Sequence, residues 1–270
     1  MKIGTHSGTF HCDEIVACAI LKSIPTYKSA EIIRSRDMSV LNQCDIVVDV
    51  GGTFDHSTKR YDHHQRDFKL SAHDIDPKID SGIKLSSAGL VFLHYGRESI
   101  ASLFGVDVKS PEVEVVFYKM YFKLIQEVDA IDNGIDQCAN PLYKVSTDLA
   151  SRVAKFNPSW LDENVDEQEL FMKAFAMVDE EYRSNILSYK NIWLPARVVV
   201  MDSFEKRFKN EGNGSCLVLD RSCPWKDHLF EIEREKGVED SEKPLFVIYE
   251  RKNDGTWSLQ VSVSDRFQNP

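Results

Sequence analysis

Side chains that bind metal ions are concentrated in the first fourteen residues. His6, His11 and Asp13 fall in a stretch of small residues, directly before a run with helical spacing from Ile15 to Leu21. Imidazole and carboxylate groups at this spacing can bind one divalent cation from a single loop. Taken alone, the stretch is explained equally well as a polar turn with two solvated histidines, so its partners elsewhere in the chain decide between the two interpretations.

A second group of such side chains lies at the end of an apolar run, Asp45–Val50, and shortly after it. Asp49 lies near the end of that run, and the triplet Asp62-His63-His64 comes shortly after it. Five of the eight histidines precede residue 65, and histidines with separate structural roles are not expected to cluster in this way. These groups strengthen the metal-binding interpretation.

Two further carboxylates, Asp129 and Asp132, follow a helix that the apolar spacing predicts from Glu112 to Glu127. Carboxylates are unfavourable at the C-terminal end of a helix, where the helix dipole is negative, and a bound cation would relieve this repulsion. We therefore expect both side chains to belong to the site.

The composition is typical of a soluble, folded, intracellular protein. Apolar residues make up 42% of the 270 residues, and no apolar run reaches membrane-spanning length. A formal net charge of -10 repels nucleic acid and anionic membranes, so a polyanionic substrate needs a local basic cluster or bound cations. The six cysteines form no CxxC pair, which favours a reduced protein. Because no mitochondrial leader precedes the first motif, we expect a cytoplasmic or nuclear location.

The order of apolar segments predicts an α/β fold. Strands alternate with helices in residues 1–50, which favours a parallel sheet with helices on both faces. Ligands of such sheets bind at the carboxyl ends of the strands, where the His6–Asp13 loop and Asp49 are expected.

The length favours two domains. The predicted segments are a metal-binding catalytic domain at 1–160, a helical connector at 161–195 that ends at Pro195, and a smaller α+β domain at 196–270. In that last domain, the valine-rich segment Arg197–Met201 is predicted to be the first strand of a mostly antiparallel sheet.

Another predicted helix opens with Ser86-Ser87-Ala88-Gly89. Serines are good N-cap residues, and small residues permit close approach to the backbone. The stretch is either an ordinary capped helix or an anion-binding pocket at a helix N-terminus, and the sequence supports the two interpretations equally.

The combination of carboxylates and imidazoles indicates hard or borderline cations, Mn²⁺ or Mg²⁺, rather than structural zinc. Two cations about 3.5–4 Å apart would clamp a phosphoryl group and generate a hydroxide nucleophile. Such a pair needs a bridging carboxylate, and Asp49, at the end of a buried strand, is the natural candidate.

These motifs resemble those of the melanocyte-proliferating-gene (MYG) family, within the DHH phosphoesterase superfamily. The matching segments are Gly4–Glu14, Val48–Gly52, Tyr61–Gln65, Leu85–Leu90 and Asp129–Gly134, and the resemblance continues from Arg152 to Trp225. It implies a DHH-type parallel-sheet domain and a metal-dependent 3′→5′ RNA exonuclease. Family members usually carry a further glycine-rich C-terminal segment, which nothing after Pro270 supplies, and the sequence leaves open whether the C-terminal domain is truncated.

The resemblance also implies roles for individual residues. His64 would lie beside the substrate phosphate, as a cation or as a proton donor to the leaving oxygen. Asp62 and Asp132 would support the ligands, Asp62 by orienting a histidine. Whether His6 or His11 contacts the metal directly stays open. The implied metal ligands are His6, His11, Asp13, the bridging Asp49, His63 and Asp129, and the implied substrate contacts are Ser87, Gly89 and Arg152.

Other functions compete with an exonuclease that acts on RNA or another phosphodiester. The acidic charge favours a small-substrate phosphohydrolase of the pyrophosphatase type, since a long nucleic acid binds best along a positively charged surface. A non-catalytic metal-binding regulator is disfavoured by the full ligand set. If nucleic acid is the substrate, the basic residues between Lys206 and Arg221 and a base-stacking Trp225 are candidates for holding the strand; a tryptophan before a helix is otherwise a core residue.

Overall fold

A five-stranded sheet organises the N-terminal part of the protein, which a computed structural model describes over residues 1–210 and 212–262. Its strands are β1 Lys2–Thr5, β2 Glu31–Arg34, β3 Ile46–Val48, β4 Phe54–Asp55 and β5 Arg60–Tyr61. They lie in the order β2-β1-β3-β5-β4; β1 is parallel to β2 and β3, and β3 is parallel to β5. β4 and β5 form an antiparallel hairpin. The prediction of a parallel-rich α/β structure is confirmed.

Helices follow most of the strands in the first of two compact units, Met1–Leu187. They are α1 Cys12–Lys22, α2 Met38–Leu41, α3 Ala72–Ile75, α4 Ser87–Phe104, α5 Pro111–Met120, α6 Gln126–Asp132, α7 Leu149–Ala154 and α8 Glu167–Ser188, with a π-helical turn at Tyr121–Ile125. α1 is buried from Cys12 to Leu21 and packs against α4. A helix buried on all sides holds its first turn rigidly, and that turn carries Asp13. The predicted bounds 1–160, 161–195 and 196–270 stay a prediction.

Both faces of the sheet are buried. On one face, Leu41, Cys44 and Val47 form a cluster. A Cβ atom on Gly4 would lie 3.0 Å from the Cys44 Sγ atom, so glycine allows the segment after α2 to lie directly on β1. Ile3 alternates with Gly4 along β1 and is completely buried as well. Burial on both faces is the reason why the central strand β3, Ile46–Val48, is apolar throughout.

The second unit, Ser188–Pro270, contains a three-stranded sheet within the residues that the structure describes. Its elements are a π-helical turn Tyr189–Trp193, α9 Leu194–Asn210, β6 Cys216–Leu219, α10 Lys226–Glu235, a 3-10 turn Asp240–Glu242, β7 Phe246–Glu250 and β8 Trp257–Val261. β7 lies in the middle, parallel to β6 and antiparallel to β8. The sheet is therefore mixed, where the sequence predicted a mostly antiparallel one. Of the segment predicted as the last strand, Val263 lies outside the described residues.

The prediction of a strand at Arg197–Met201 is wrong, because these residues lie in α9. Valines favour strands, but tertiary packing overrides that preference: Val200 and Phe204, four residues apart on one helix face, are buried in the core of the unit. Pro195 does not end the helical segment either. In a regular α-helix the proline ring would clash with the backbone carbonyl four residues earlier. The π-helical turn directly before Pro195 changes the position of that carbonyl.

Trp225 belongs to the same core. Only 4% of it is exposed, and its Nε1 atom donates to the Gln260 Oε1 atom at 3.2 Å. Arg207 is 7% exposed, and its guanidinium lies over the rings of Phe204 and Phe208. The hypothesis that Trp225 stacks a base is therefore wrong, and the core interpretation is confirmed. Within the described part of the chain, no helix combines the length and the apolar character needed to cross a bilayer.

Candidate metal centre

The loop between β1 and α1 places the first ligand group. His6 follows β1 and is 3% exposed, whereas His11, the N-cap residue of α1, is exposed. Glu14 accepts a hydrogen bond from the backbone N–H of His11 at 2.9 Å, which fixes the first turn of the helix. The same Glu14 Oε1 atom lies 3.1 Å from the Nε2 atom of His6. His6 is thus the histidine that faces the interior of the centre.

Asp49 connects this group to the next strand. It follows β3 with a backbone φ of 58°, a left-handed conformation that aspartate adopts more readily than most residues. Its Oδ2 atom lies 3.4 Å from the His6 Nε2 atom, and its Oδ1 atom lies 3.6 Å from the His63 Nε2 atom. The two oxygens of one buried carboxylate therefore face two different histidines.

His63 leads to the second ligand group. Its Nε2 atom lies 3.0 Å from an oxygen of Asp132 and 3.8 Å from an oxygen of Asp13. Among the described residues, three groups each have their ligand atoms within 4.8 Å of one another, and the last two share His63: His6, His11 and Glu14; Asp49, His63 and His64; Asp13, His63 and Asp132. Five of the six ligands expected from the sequence are brought together here, all except Asp129.

The N-terminus of α4 binds carboxylates of the protein itself. The backbone N–H groups of Ser87 and Ala88 donate to Asp13 at 3.1 and 2.5 Å. Ser86 donates to Asp129 through its N–H group at 2.9 Å and its hydroxyl at 2.8 Å. The amides that an anion-binding pocket would need are thus engaged by Asp13 and Asp129. The role of Ser87 and Gly89 in substrate binding stays a prediction.

Gly89 allows Asp129 to approach the helix. A Cβ atom at this position would lie 2.3 Å from the Asp129 Oδ1 atom. We expect Gly89→Ala to lower the free energy of unfolding by about 1–3 kcal/mol through overpacking, although alanine normally favours a helix. Urea denaturation checks this result. Gly82→Ala is the control, because nothing lies within 4 Å of that position, and an equal loss in both variants would contradict the role of Gly89.

Asp129 and Asp132 therefore occupy different surroundings. Asp129 is completely buried, and burial, as the largest influence, raises its pKa to about 7. Its Oδ2 atom has no hydrogen-bond partner among the described residues. Asp132, which the sequence placed in a supporting role, faces His63 directly. Asp132 comes three positions after Asp129 on one side of α6, so sequence spacing does not show which of the two faces His63.

Glu14 is the residue that the sequence interpretation missed. It completes the group with His6 and His11 and is completely buried. The signal that was present, a glutamate three residues after a helix N-cap, is the ordinary pattern of a capping box. The hydrogen bond to the His11 N–H shows that Glu14 has this capping role in addition.

The carboxylates of the centre repel one another. Complete burial, followed by the negative charges of Asp49 and Asp132, raises the pKa of Asp13 well above its ordinary value. Like charges at such separation disfavour ionisation of all of them at once. Positive charge from divalent cations would relieve this repulsion.

The surrounding carboxylates favour the protonated form of the histidines, and a bound cation would have to displace these protons. Burial alone would lower the pKa of His6, but hydrogen bonds to Asp49 and Glu14 raise it to about 10. In the same way, Asp132 and Asp49 overcome burial and raise the pKa of His63 to about 10. Both histidines in turn lower the pKa of Asp49 against the effect of burial. Carboxylates paired with imidazoles are a donor set that fits Mn²⁺ or Mg²⁺.

His64 and Asp62 form a pair at the rim, where the His64 Nδ1 atom also lies 3.5 Å from the Asp49 Oδ1 atom. The His64 side chain is 64% exposed, and its Nδ1 atom lies 2.7 Å from Asp62 Oδ1. Asp62 is fixed by the backbone N–H groups of Gly52 and His64, at 2.6 and 3.1 Å. The hydrogen bond to Asp62 raises the pKa of His64. Asp62 thus orients His64, which is the arrangement expected from the sequence.

Arg152 is not brought to the ligand groups by any contact of its side chain. It lies on α7 and forms an ion pair of 2.6 Å with Glu181 on α8. Its role in substrate binding stays a prediction.

The fold and the site define an α/β protein with a candidate metal centre at the carboxyl ends of parallel strands. A family model named MYG1_exonuc, with the description "Uncharacterised protein family (UPF0160)", matches residues 2–269. The chain belongs to this MYG1 exonuclease family, as its motifs predicted.

Relatives in three organisms show the extent of the similarity. The chain is 44% identical over 262 residues to the MYG1 exonuclease of Mus musculus, covering 96% of this chain and 68% of that protein. It is 43% identical over 262 residues to the MYG1 exonuclease of Homo sapiens, covering 96% and 69%. It is 38% identical over 266 residues to the MYG1 protein of Dictyostelium discoideum, covering 97% and 78%. No solved structure matches the chain significantly, and its assignment to the DHH type stays a prediction.

Proposed function

We propose that the chain is a metal-dependent phosphodiesterase that degrades RNA from 3′ to 5′ with two divalent cations, Mn²⁺ or alternatively Mg²⁺. The observation that carries the proposal is the position of Asp49, whose two oxygens face His6 and His63 at 3.4 and 3.6 Å. One carboxylate therefore connects two ligand groups, as a bridging ligand must. The name exonuclease, which the mouse and human relatives bear, supports the reaction class.

In this proposal, each cation would lie beside one of two ligand groups. Asp49 would be shared between the group that contains His6 and Glu14 and the group that contains Asp13, His63 and Asp132. Divalent cations there would polarise a phosphoryl group and lower the pKa of water.

His64 is the side chain best placed to act on the substrate. Because its Nδ1 atom is bound to Asp62, its Nε2 atom is the one available to a substrate oxygen. Asp62 favours the positively charged imidazolium, which can bind a phosphate oxygen and deliver a proton to the leaving oxygen. Asp62 keeps the ring in the orientation that this proton transfer needs.

A small-substrate phosphohydrolase of the pyrophosphatase type is the second candidate, favoured by the net charge of -10. RNA labelled at one end separates the two. A 3′→5′ exonuclease releases a 3′ label at once and shortens 5′-labelled RNA one nucleotide at a time. A small-substrate enzyme leaves both RNAs intact and hydrolyses pyrophosphate. Absence of turnover with either substrate, with and without Mn²⁺, would indicate a non-catalytic regulator.

Mn²⁺ is expected to raise the thermal stability of the protein. A ligand at about 100 times its dissociation constant stabilises the native state by about 2.7 kcal/mol, which corresponds to a rise in Tm of about 5–10 °C for a unit of this size. Differential scanning calorimetry with chelator-treated protein as the baseline measures the shift. An unchanged Tm at millimolar Mn²⁺ would count against the centre.

A further inference from the structure

An exposed tryptophan lies in the connection between α7 and α8. Trp160 is 91% exposed and its neighbour Leu161 is 68% exposed, whereas Trp193 and Trp225 are at most 9% exposed. Large apolar side chains that stand together in solvent commonly mark a binding surface. Trp160 therefore offers an exposed indole in the first unit, where the buried Trp225 offers none.

The backbone displays this side chain at the tip of a tight turn. Within Ser159–Asp162, the N–H group of Asp162 donates to the Ser159 carbonyl at 3.1 Å. The N–H group of Ser159 donates back to the Asp162 carboxylate at 2.7 Å. Trp160 and Leu161 are the two central residues of the turn. Because hydrogen bonds close it from both sides, little conformational entropy is left to lose when the tip binds a ligand.

Asn157 connects the start of the segment between α7 and α8 to the loop between β1 and α1 by two hydrogen bonds. Its side-chain oxygen accepts from the Phe10 N–H at 2.9 Å, and its side-chain nitrogen donates to the Phe10 carbonyl at 2.7 Å. Phe10 directly precedes His11. Three residues separate Asn157 from Trp160, so their Cα atoms are at most about 11 Å apart.

Arg34 connects the end of the segment, at Glu167, to the same loop. Its guanidinium donates to the carbonyls of His6 and Glu167 at 3.3 Å each, and to the carbonyl of Gly8. It also lies over the rings of Phe10 and Phe171, at 5.3 and 4.7 Å from their centroids. The turn thus projects from a segment that is held at both ends beside the candidate metal centre.

We propose that Trp160 stacks on a nucleobase of a single-stranded nucleic acid whose phosphodiester lies at the metal centre. This inference rests on the proposed function, because it supplies a holder for the substrate of that same site. A base offers a flat face to an indole whatever its sequence, and such stacking suits an enzyme that removes nucleotides one after another.

The charges of the segment disfavour contact with phosphate. Asp162 and Asp166 are engaged by backbone N–H groups, of Ser159 and of Gln168 respectively. Glu163 adds a further exposed carboxylate. An acidic segment is a poor partner for phosphate, so the aromatic tip is the feature of this turn that can attract the substrate.

The test measures binding of a dye-labelled, phosphorothioate-linked hexauridylate by fluorescence anisotropy in the presence of Mn²⁺. Trp160→Ala is expected to raise the Kd about 5- to 150-fold, the usual loss for one stacked base. Trp160→Phe should recover most of the affinity, because it retains an aromatic face. Trp257→Ala is the matched control for the removal of an exposed indole, since Trp257 is 61% exposed, and it should bind as the wild type does.

A second measurement separates stacking from a structural role. The ratio of kcat/KM for hexauridylate to kcat/KM for bis-p-nitrophenyl phosphate should fall in Trp160→Ala. Wild-type binding in Trp160→Ala, or an equal loss on both substrates, would overturn the inference and leave Trp160 as a contact for another protein or as a structural residue. If the wild type hydrolyses neither substrate, the proposed function fails, while the Kd comparison still decides on Trp160.

Discussion

Asp49→Asn is expected to leave a folded protein that no longer hydrolyses phosphodiesters. Asparagine tolerates the left-handed backbone that position 49 requires, and it retains one oxygen, so the fold should survive. The change removes the negative charge that two cations would share. Because bound cations contribute several kcal/mol to the transition state, we expect kcat/KM to fall about 10³-fold or more. Steady-state kinetics with bis-p-nitrophenyl phosphate and circular dichroism measure the two properties.

Asp67→Asn is the matched control for this experiment. Asp67 is an exposed aspartate of the same unit and should tolerate the same chemical change without loss of activity. A well-folded Asp49→Asn protein with the wild-type rate would exclude the two-cation arrangement.

Asp132→Asn is expected to weaken Mn²⁺ binding at least about tenfold, whereas Asp129→Asn should change it much less. Asp132 faces His63 at 3.0 Å, and asparagine would replace its carboxylate with an uncharged amide that binds a cation less strongly. Asp129 instead accepts two hydrogen bonds from Ser86, and an amide oxygen can accept them as well. Isothermal titration calorimetry with Mn²⁺ gives both affinities.

Urea denaturation provides the control for this pair. Burial raises the pKa of Asp129 to about 7, so near neutral pH the amide resembles the uncharged form of the carboxyl group, and Asp129→Asn should remain stable. Loss of Mn²⁺ affinity in Asp129→Asn together with normal affinity in Asp132→Asn would restore the ligand assignment that the sequence resemblance implies.

The sequence predicts the sheet well because burial on two faces leaves a strong pattern. Apolar runs at β1 and β3 followed by His6 and Asp49 are enough to locate the carboxyl edge of a parallel sheet. The strand predicted at Arg197–Met201 is wrong because the strand preference of valine is weak compared with packing. Only the fold shows that Val200 and Phe204 share a core.

The finer assignments within the site depend on distances that the sequence does not contain. Glu14 has the pattern of a capping residue, and its second contact, with His6, exists only in three dimensions. Exposure is also hard to predict: the position of Trp225 before a helix is typical of a core residue, but nothing in the local sequence indicates that Trp160 is exposed. Composition and motifs thus predict which residues lie together in the candidate metal centre, whereas burial and contacts determine the role of each residue in it.

The carboxylate contacts at the start of α4 have a consequence for folding kinetics. They join Asp13 to Ser87 and Ala88, 74 and 75 positions away, and Asp129 to Ser86, 43 positions away. Closing such loops costs entropy before the contacts are made, so we expect the centre to form late, after the folding barrier. Interactions that form after the barrier slow unfolding and leave the folding rate unchanged. Bound cations should therefore lengthen the lifetime of the folded protein without accelerating its formation.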